Sequence, residues 1–212
     1  VEGKTITSPA LNVLPHQPVM VNGKPLPEAE TTRLWLYHKP AGQITSHSDP
    51  QGRPTVFEAV EGRIAGRVQS VGRLDFHSEG LLLLTNDGEL KRFIELPATG
   101  WIRRYRVRVF GTPEAGVLAK MAAGVTIDGI RYGPMEVTLD KEASNSWLTV
   151  SLKEGKNREI RRVFEHFGFN VNRLIRTAYG PFQLAELPRG DLKEVPRKML
   201  RASVGQKVTL RD

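Results

Sequence analysis

At 212 residues, with 39% apolar residues spread along its length, the chain can bury one sizeable core or two small ones. It has no cysteine, which excludes disulfides, thiol nucleophiles and thiolate metal sites and fits a cytoplasmic protein; no run of roughly 18 uncharged apolar residues is present to cross a membrane. The 31 lysines and arginines against 23 acids leave a formal charge of +8, a balance suited to a polyanionic partner.

The first residue is Val, not Met, and no signal-peptide pattern follows, so the chain is expected to start inside a longer protein. Residues 1–26 read as a small β-structure, with turn signals at Gly3-Lys4 and Asn22-Gly23. Residues 27–32 are polar and proline-punctuated, a linker. Leu34 to His38 is a strand stopped at Pro40-Ala41-Gly42, and His47 to Arg53 is a polar loop. Thr55 to Val60 makes a short helix. Ile64 to Ser70 leads into Val71-Gly72-Arg73-Leu74-Asp75, a Gly-rich turn. Leu81-Leu82-Leu83-Leu84 follows, four residues that need burial on both faces. Asn86 can cap the next helix, with Glu89 closing a capping box.

From Trp101 to Val109 the residues alternate. Arg104, Arg106 and Arg108 fall on one face of a strand, and Tyr105, Val107 and Val109 on the other. Thr112-Pro113 starts a helix that ends at Gly124. Strands are expected over 125–127, 130–139 and 147–152. A helix over 157–167 ends at Gly168, and Arg173-Leu174-Ile175-Arg176 lies in a strand with Arg173 and Leu174 on opposite sides. Residues 197–212, with five basic groups and one acid, read as a basic tail, either a frayed extension or a contact for the polyanionic partner. The expected fold class is α+β, a mixed and mainly antiparallel sheet flanked by helices.

On local chemistry alone, Asp75 is either a turn aspartate bonded to its own backbone or a working carboxylate at the edge of an apolar core. Tyr105 is a half-buried tyrosine or an aromatic facing that carboxylate. Arg161 is placed to pair with Glu165 one helical turn on, or to serve a site. His38 and His47 have no metal-ligand spacing.

Three ordered blocks narrow these choices. Gly72-Arg73-Leu74-Asp75, Ser78, Gly80, the leucines and Thr85-Asn86-Asp87-Gly88 form the second. His38-Lys39-Pro40-Ala41-Gly42 with Ser48-Asp49-Pro50 and Gly52-Arg53-Pro54-Thr55-Val56-Phe57 form the first, and Glu154-Gly155-Lys156-Asn157-Arg158-Glu159-Ile160-Arg161-Arg162 the third. Together, over about residues 33 to 196, they resemble the pseudouridine synthases that modify ribosomal RNA, most of all the large-subunit branch. Val1-Glu2-Gly3-Lys4, Ser8-Pro9-Ala10, Val13 and Val21-Asn22-Gly23-Lys24 resemble the tail of an S4 RNA-binding domain. The resemblance implies a catalytic domain over 33–196, after the S4-like piece and the linker. It implies isomerisation of uridine to pseudouridine in ribosomal RNA, with 23S RNA expected and 16S RNA the other possibility.

The same resemblance assigns roles. Asp75 is the essential aspartate, which either attacks ribose C1′ or removes a proton and stabilises charge at the sugar. Tyr105 contacts the base, Arg161 pairs with Asp75, with Lys156 as the other candidate, and Leu174 is an apolar wall. Arg53, Arg73, Arg104, Arg106, Arg108, Lys156, Arg158, Arg162 and Arg176 are expected to bind RNA. The reaction has no redox or net hydrolytic step, so no metal or cofactor is expected; the partner is RNA, not a membrane, and the enzyme a monomer. Two other classes use the same residues differently. A ribosome assembly factor would use the basic surface without Asp75, and a glycoside or nucleoside hydrolase would need a second carboxylate, for which Glu79 and Asp87 are near in sequence.

Overall fold

The computed structural model describes every residue except 2, 9, 15, 16, 27–29 and 212. The chain divides into two compact units, Val1–Thr31 with Arg211–Asp212, and Thr32–Leu210. In the first, strand β1 (Met20–Val21) pairs antiparallel with β2 (Lys24–Pro25). Asn22 and Gly23 both take positive φ at the turn, as a two-residue hairpin of this type requires. Glu2 and Pro9 of the S4-like stretches, and residues 27–29 of the expected linker, lie outside the described residues.

The second unit runs β3 (Leu34–Lys39), α1 (Val56–Val60), β4 (Gln69–Val71), β5 (Ser78–Thr85), α2 (Gly88–Glu95), β6 (Arg103–Phe110) and α3 (Ala115–Ala123). It continues with β7 (Val125–Ile127), β8 (Ile130–Tyr132), β9 (Glu136–Lys141), β10 (Asn145–Leu152) and α4 (Glu159–His166). It closes with β11 (Val171–Tyr179), β12 (Phe182–Gln183), β13 (Leu192–Glu194) and α5 (Arg197–Val204). Nine strands of the described residues form one sheet, in the order β13-β3-β5-β11-β6-β10-β9, with β4 beside β5 and β12 beside β11. Within it β5 and β11 pair in parallel and the other pairs are antiparallel. This is the mixed, mainly antiparallel α+β sheet flanked by helices that the sequence led us to expect.

The leucine run explains why β5 sits at the centre. Leu82 and Leu84 enter one core with Trp35, Tyr37, Val107, Leu148 and Phe164, while Leu81 and Leu83 enter another with Leu34, Leu90, Ile94, Leu200 and Val204. A strand with both faces in hydrocarbon has no room for a polar alternation. Gly80 allows β11 to approach. Its φ is +104°, and a Cβ there would lie 2.2 Å from the Arg176 carbonyl oxygen.

Several boundaries differ from the sequence reading. Thr55 does cap α1, in a full capping box with Glu58. The cap of α2, however, is Asp87, whose carboxylate accepts from the Glu89 and Leu90 N–H groups, while Asn86 accepts from Arg33. Asp87 is thus engaged as a helix cap and not as a second acid of a hydrolase. Helix α3 starts from Glu114 rather than Thr112, whose hydroxyl bonds to Ser146 instead. The basic segment from residue 197 is not a tail at its start. Helix α5 buries Leu200 and Val204 against Tyr179 and Phe182, so the domain extends beyond 196.

Candidate active site

The turn between β4 and β5 is fixed at its backbone from several sides. The Gly72 N–H donates to the Glu95 carboxylate at 2.7 Å, and the Thr45 hydroxyl donates to the Leu74 carbonyl at 2.9 Å. The Ser78 N–H closes the turn on the Asp75 carbonyl at 3.0 Å. Beneath lies Lys39, fully buried, whose ammonium donates to the carbonyls of Pro40, Asp75 and Ser78 at 3.0, 3.0 and 2.8 Å. Burial lowers its pKa to about 8, with the charges of Asp75 and Glu79 opposing that shift. With its backbone held, the Asp75 side chain stays 35% exposed and faces a cleft of about 510 Å³.

The cleft wall comes from β6 and β11. In register, Tyr105 stands beside Arg176 and Val107 beside Leu174, so Tyr105, Leu174 and Arg176 share a face and all line the cleft. Tyr105 is 9% exposed, on the face opposite the arginines as the alternation required. Arg176 is only 3% exposed. Its Nε donates to the Leu81 carbonyl at 2.7 Å, and its Nη2 has no hydrogen-bond partner among the described residues. An unmatched buried guanidinium donor at a cleft wall is a group available to a polar ligand.

The third block forms the opposite lip. The helix expected from Asn157 begins at Glu159, because Arg158 takes the left-handed conformation with φ 51° and ψ 28°. That unfavourable backbone geometry carries its guanidinium to 3.8 Å from the Asp75 carboxylate. The expected pairing of Asp75 with Arg161 or Lys156 is therefore corrected to Arg158. The Arg161 guanidinium instead donates to the Val171 carbonyl at 2.8 Å and the His77 carbonyl at 3.3 Å. Burial pushes its pKa down, Arg158 adds to this and Asp75 opposes it. Among the described residues Arg161 makes no ion pair with Glu165 either. Lys156 lines the cleft, but its ammonium binds Glu154.

The remaining expected residues divide into two sets. Arg73 is exposed at the cleft, with no partner among the described residues. Arg53 is bound to Asp49 at 2.7 Å and holds the pKa of that carboxyl at about 2, with its guanidinium 5.9 Å from the Phe76 ring. Arg162 bonds to the Tyr132 hydroxyl at 3.2 Å, outside the Asp75 cleft. Arg104, Arg106 and Arg108 lie on the other side of the sheet. Glu79 is no second acid, since it is taken by Arg173 at 2.8 Å and Arg189 at 3.1 Å. Sequence reasoning missed Lys39 and Arg103. Lys39 sits at a buried-parity position of β3 with Trp35 and Tyr37, and Arg103 shares the parity of Tyr105; strand alternation was the signal for both. Arg103 lines the cleft and donates to the Tyr179 hydroxyl at 2.8 Å and to the Lys153 carbonyl. Among the described residues, no three His, Cys, Asp or Glu side chains converge as metal ligands.

Glu95 and Glu159 also line the cleft, but Glu95 accepts from the Gly72 N–H and pairs with Lys91, and the buried Glu159 accepts from the Lys156 N–H. Asp75 is therefore the cleft carboxylate that faces a guanidinium, with a tyrosine and a leucine as walls. Residues 33–166 match the RNA pseudouridylate synthase family, and the chain belongs to it. It is 50% identical over 202 residues to an RNA pseudouridine synthase of Rickettsia bellii, covering 95% of this chain and 87% of that one. To the ribosomal large subunit pseudouridine synthase B of Pasteurella multocida it is 41% identical over 173 residues, covering 79% of this chain and 49% of that protein. A crystal structure of a pseudouridylate synthase shares the fold, with a TM-score of 0.76 at 24% identity over 94% of this chain and 86% of that one.

Proposed function

We propose that this synthase converts a uridine of large-subunit (23S) ribosomal RNA to pseudouridine, and that Asp75 is the carboxylate that performs it. The observation that carries the reading is Asp75 itself, fixed at its backbone by Lys39 and Ser78 and open at its side chain to a cleft walled by Tyr105 and Leu174. The large-subunit assignment draws on the relatives of that name in Pasteurella multocida and Salmonella typhi. The hairpin over residues 20–25 supports reading residues 1–26 as the tail of an S4 RNA-binding domain.

In the reaction the bond from uracil N1 to ribose C1′ breaks, the base turns, and C5 joins C1′. The C5 proton leaves, and N1 ends protonated, so atoms balance without an added reagent. Asp75 acts at the sugar as a nucleophile on C1′, or as the base and charge stabiliser there. The target nucleotide must first leave its stack, at a few kcal/mol unless it is already unpaired. Tyr105 then offers its ring to the uracil, and Leu174 excludes water from the same wall. Arg158 keeps a positive charge beside Asp75. Arg73, exposed at the cleft, is the donor for the phosphate, and the buried, unpartnered Nη2 of Arg176 is a donor for a uracil oxygen that reaches the wall.

The test is Asp75→Asn, which keeps size and turn-forming ability but removes the charge. With ribosomal RNA from cells lacking the modification, pseudouridine formation is expected to vanish while RNA affinity stays near that of the wild type. Turnover by the variant close to the wild-type rate would remove Asp75 from the mechanism. Modification mapped to small-subunit RNA alone would overturn the substrate assignment and leave the chemistry intact.

A further inference from the structure

The face of the sheet turned away from Asp75 carries its own organised cluster. Across β6, β10 and β11, Arg104 and Arg106 are exposed, and Arg108, Trp147 and Arg173 are partly so. The guanidinium carbons of Arg106, Arg108 and Arg173 stand 4.5, 5.7 and 5.8 Å from the centre of the Trp147 ring. Arg108 also donates to Asn172 at 2.6 Å, which donates in turn to Asn145 at 2.8 Å. Nearby acids are few. Asp140 lies 4.0 Å from Arg106 and accepts from Thr149, and Glu79 is shared by Arg173 and Arg189. The Arg104 guanidinium has no partner among the described residues.

Three guanidiniums around one indole repel each other, and the sequence supplies too few acids to balance them. Their contacts with the indole restrict their rotamers, so less side-chain freedom is lost when a ligand binds. Arg104, Arg106 and Arg108 recur about 6.8 Å apart along the strand. That is a row of planar, bidentate donors suited to an anion that itself repeats.

We propose that this face is a second docking surface for RNA, which grips phosphates of the substrate outside the nucleotides in the Asp75 cleft. The inference rests on the reading of RNA as the macromolecule modified. Alternation along β6 puts the surface opposite Tyr105, so an RNA engaging both must pass around the sheet. It therefore recognises a folded or extended RNA rather than the target loop alone, and adds affinity without sequence readout.

The experiment uses the full chain and two probes, a fluorescein-labelled oligouridylate and a transcript of 23S ribosomal RNA. Binding is measured across a salt series for the wild type, Arg106→Ala/Arg108→Ala, Trp147→Phe and Asp75→Asn, with folding checked by circular dichroism. The double variant is expected to bind the transcript more weakly. Its slope of log affinity against log salt should be shallower by about 0.7 for each single-strand phosphate that it no longer neutralises. RNA should also change tryptophan fluorescence in the wild type, and Trp147→Phe should lose most of that change. A folded double variant with the wild-type slope would overturn the proposal. So would an unchanged slope together with a fluorescence response to polyglutamate alone, which would mark the face as a protein-docking surface. Asp75→Asn separates the two readings. If it loses turnover and keeps the full salt slope, both stand; if it keeps turnover, the catalytic assignment falls and the surface remains.

Discussion

Two faces of one strand are built on different terms. On β6, Tyr105, Val107 and Val109 are buried and turn towards Asp75, Leu174 and the larger core, whereas Arg104, Arg106 and Arg108 turn outward, the last two beside Trp147. The backbone is common to both, so the difference lies only in parity. The inward face is governed by fit, because each side chain must share space with α4 and β11. The outward face is solvent-exposed and positively charged, and tolerates change in shape. A slip of one residue would put three arginines into the core and the tyrosine into solvent. The register that Gly80 and the leucines enforce is thus also the register of the site.

The largest expected effect tests that register. Gly80→Ala would set a methyl group against the Arg176 backbone at a φ that side chains rarely adopt. It should destabilise the domain by on the order of 3 kcal/mol or more in urea unfolding. A tolerated substitution would mean that β5 and β11 need not approach so closely, and that Arg176 is not held against Tyr105. Next comes the contrast between the faces. Leu148→Ala, on the inward side, should cost about 3 kcal/mol, and Arg104→Ala, on the outward side, should stay within about 0.5 kcal/mol. Equal losses would erase the contrast.

Arg158 and Arg161 sharpen it within the site. Arg158→Ala should lower turnover by about 10²-fold and change stability by under about 1 kcal/mol, since the pair is half-exposed. Arg161→Ala should cost about 2 kcal/mol, because the Val171 and His77 carbonyls lose donors. The opposite pattern in kcat and denaturation midpoint would return the Asp75 partnership to Arg161.

The smallest effect on turnover is a pH dependence. Lys39 titrates at about 8 in the fold against 10.5 ordinarily. The unfolded chain therefore holds the proton to higher pH. The burial penalty is fully present below pH 8 and is relieved as pH rises towards 10.5, so through this group stability increases over that window. A neutral amine, however, has only two protons for three carbonyls, and the loop bearing Asp75 loosens. Turnover should fall above pH 8 while thermal stability does not fall with it. A kcat profile flat across that window would detach Lys39 from the positioning of Asp75.

Much of the fold is legible in the sequence because it follows from local rules. Four leucines in a row demand a doubly buried strand, and alternating Arg and apolar residues fix a half-buried one. Asp75 and Tyr105 are legible through motif and parity. What escapes depends on neighbours distant in sequence or on unfavourable backbone geometry. Nothing in Asn157-Arg158-Glu159 announces a left-handed arginine, so the sequence pattern starts the helix too early and misplaces the Asp75 partner. Arg161 reads as a charge seeking a charge, yet its partners are two carbonyls on other elements. The segment from 197 reads as a tail by its charge, although Leu200 and Val204, four apart, are enough to make one face of a packed helix.

The parallel neighbours β5 and β11 also set when the enzyme comes into being. Glu79 and Arg173, which pair across them, are 94 residues apart in sequence. During synthesis the leucine strand leaves the ribosome long before the strand that covers its flank. Until then it has an unpaired apolar edge, which makes a chain stopped before Val171 prone to aggregate. Closing so long a loop costs entropy before the β5–β11 pairing offsets it, which slows that step relative to the local pairing of β5 with β3 and β4. The cleft takes Asp75 from one side of that loop and Leu174 and Arg176 from the other. A chain that stops before Val171 therefore lacks the Leu174 and Arg176 part of the cleft wall.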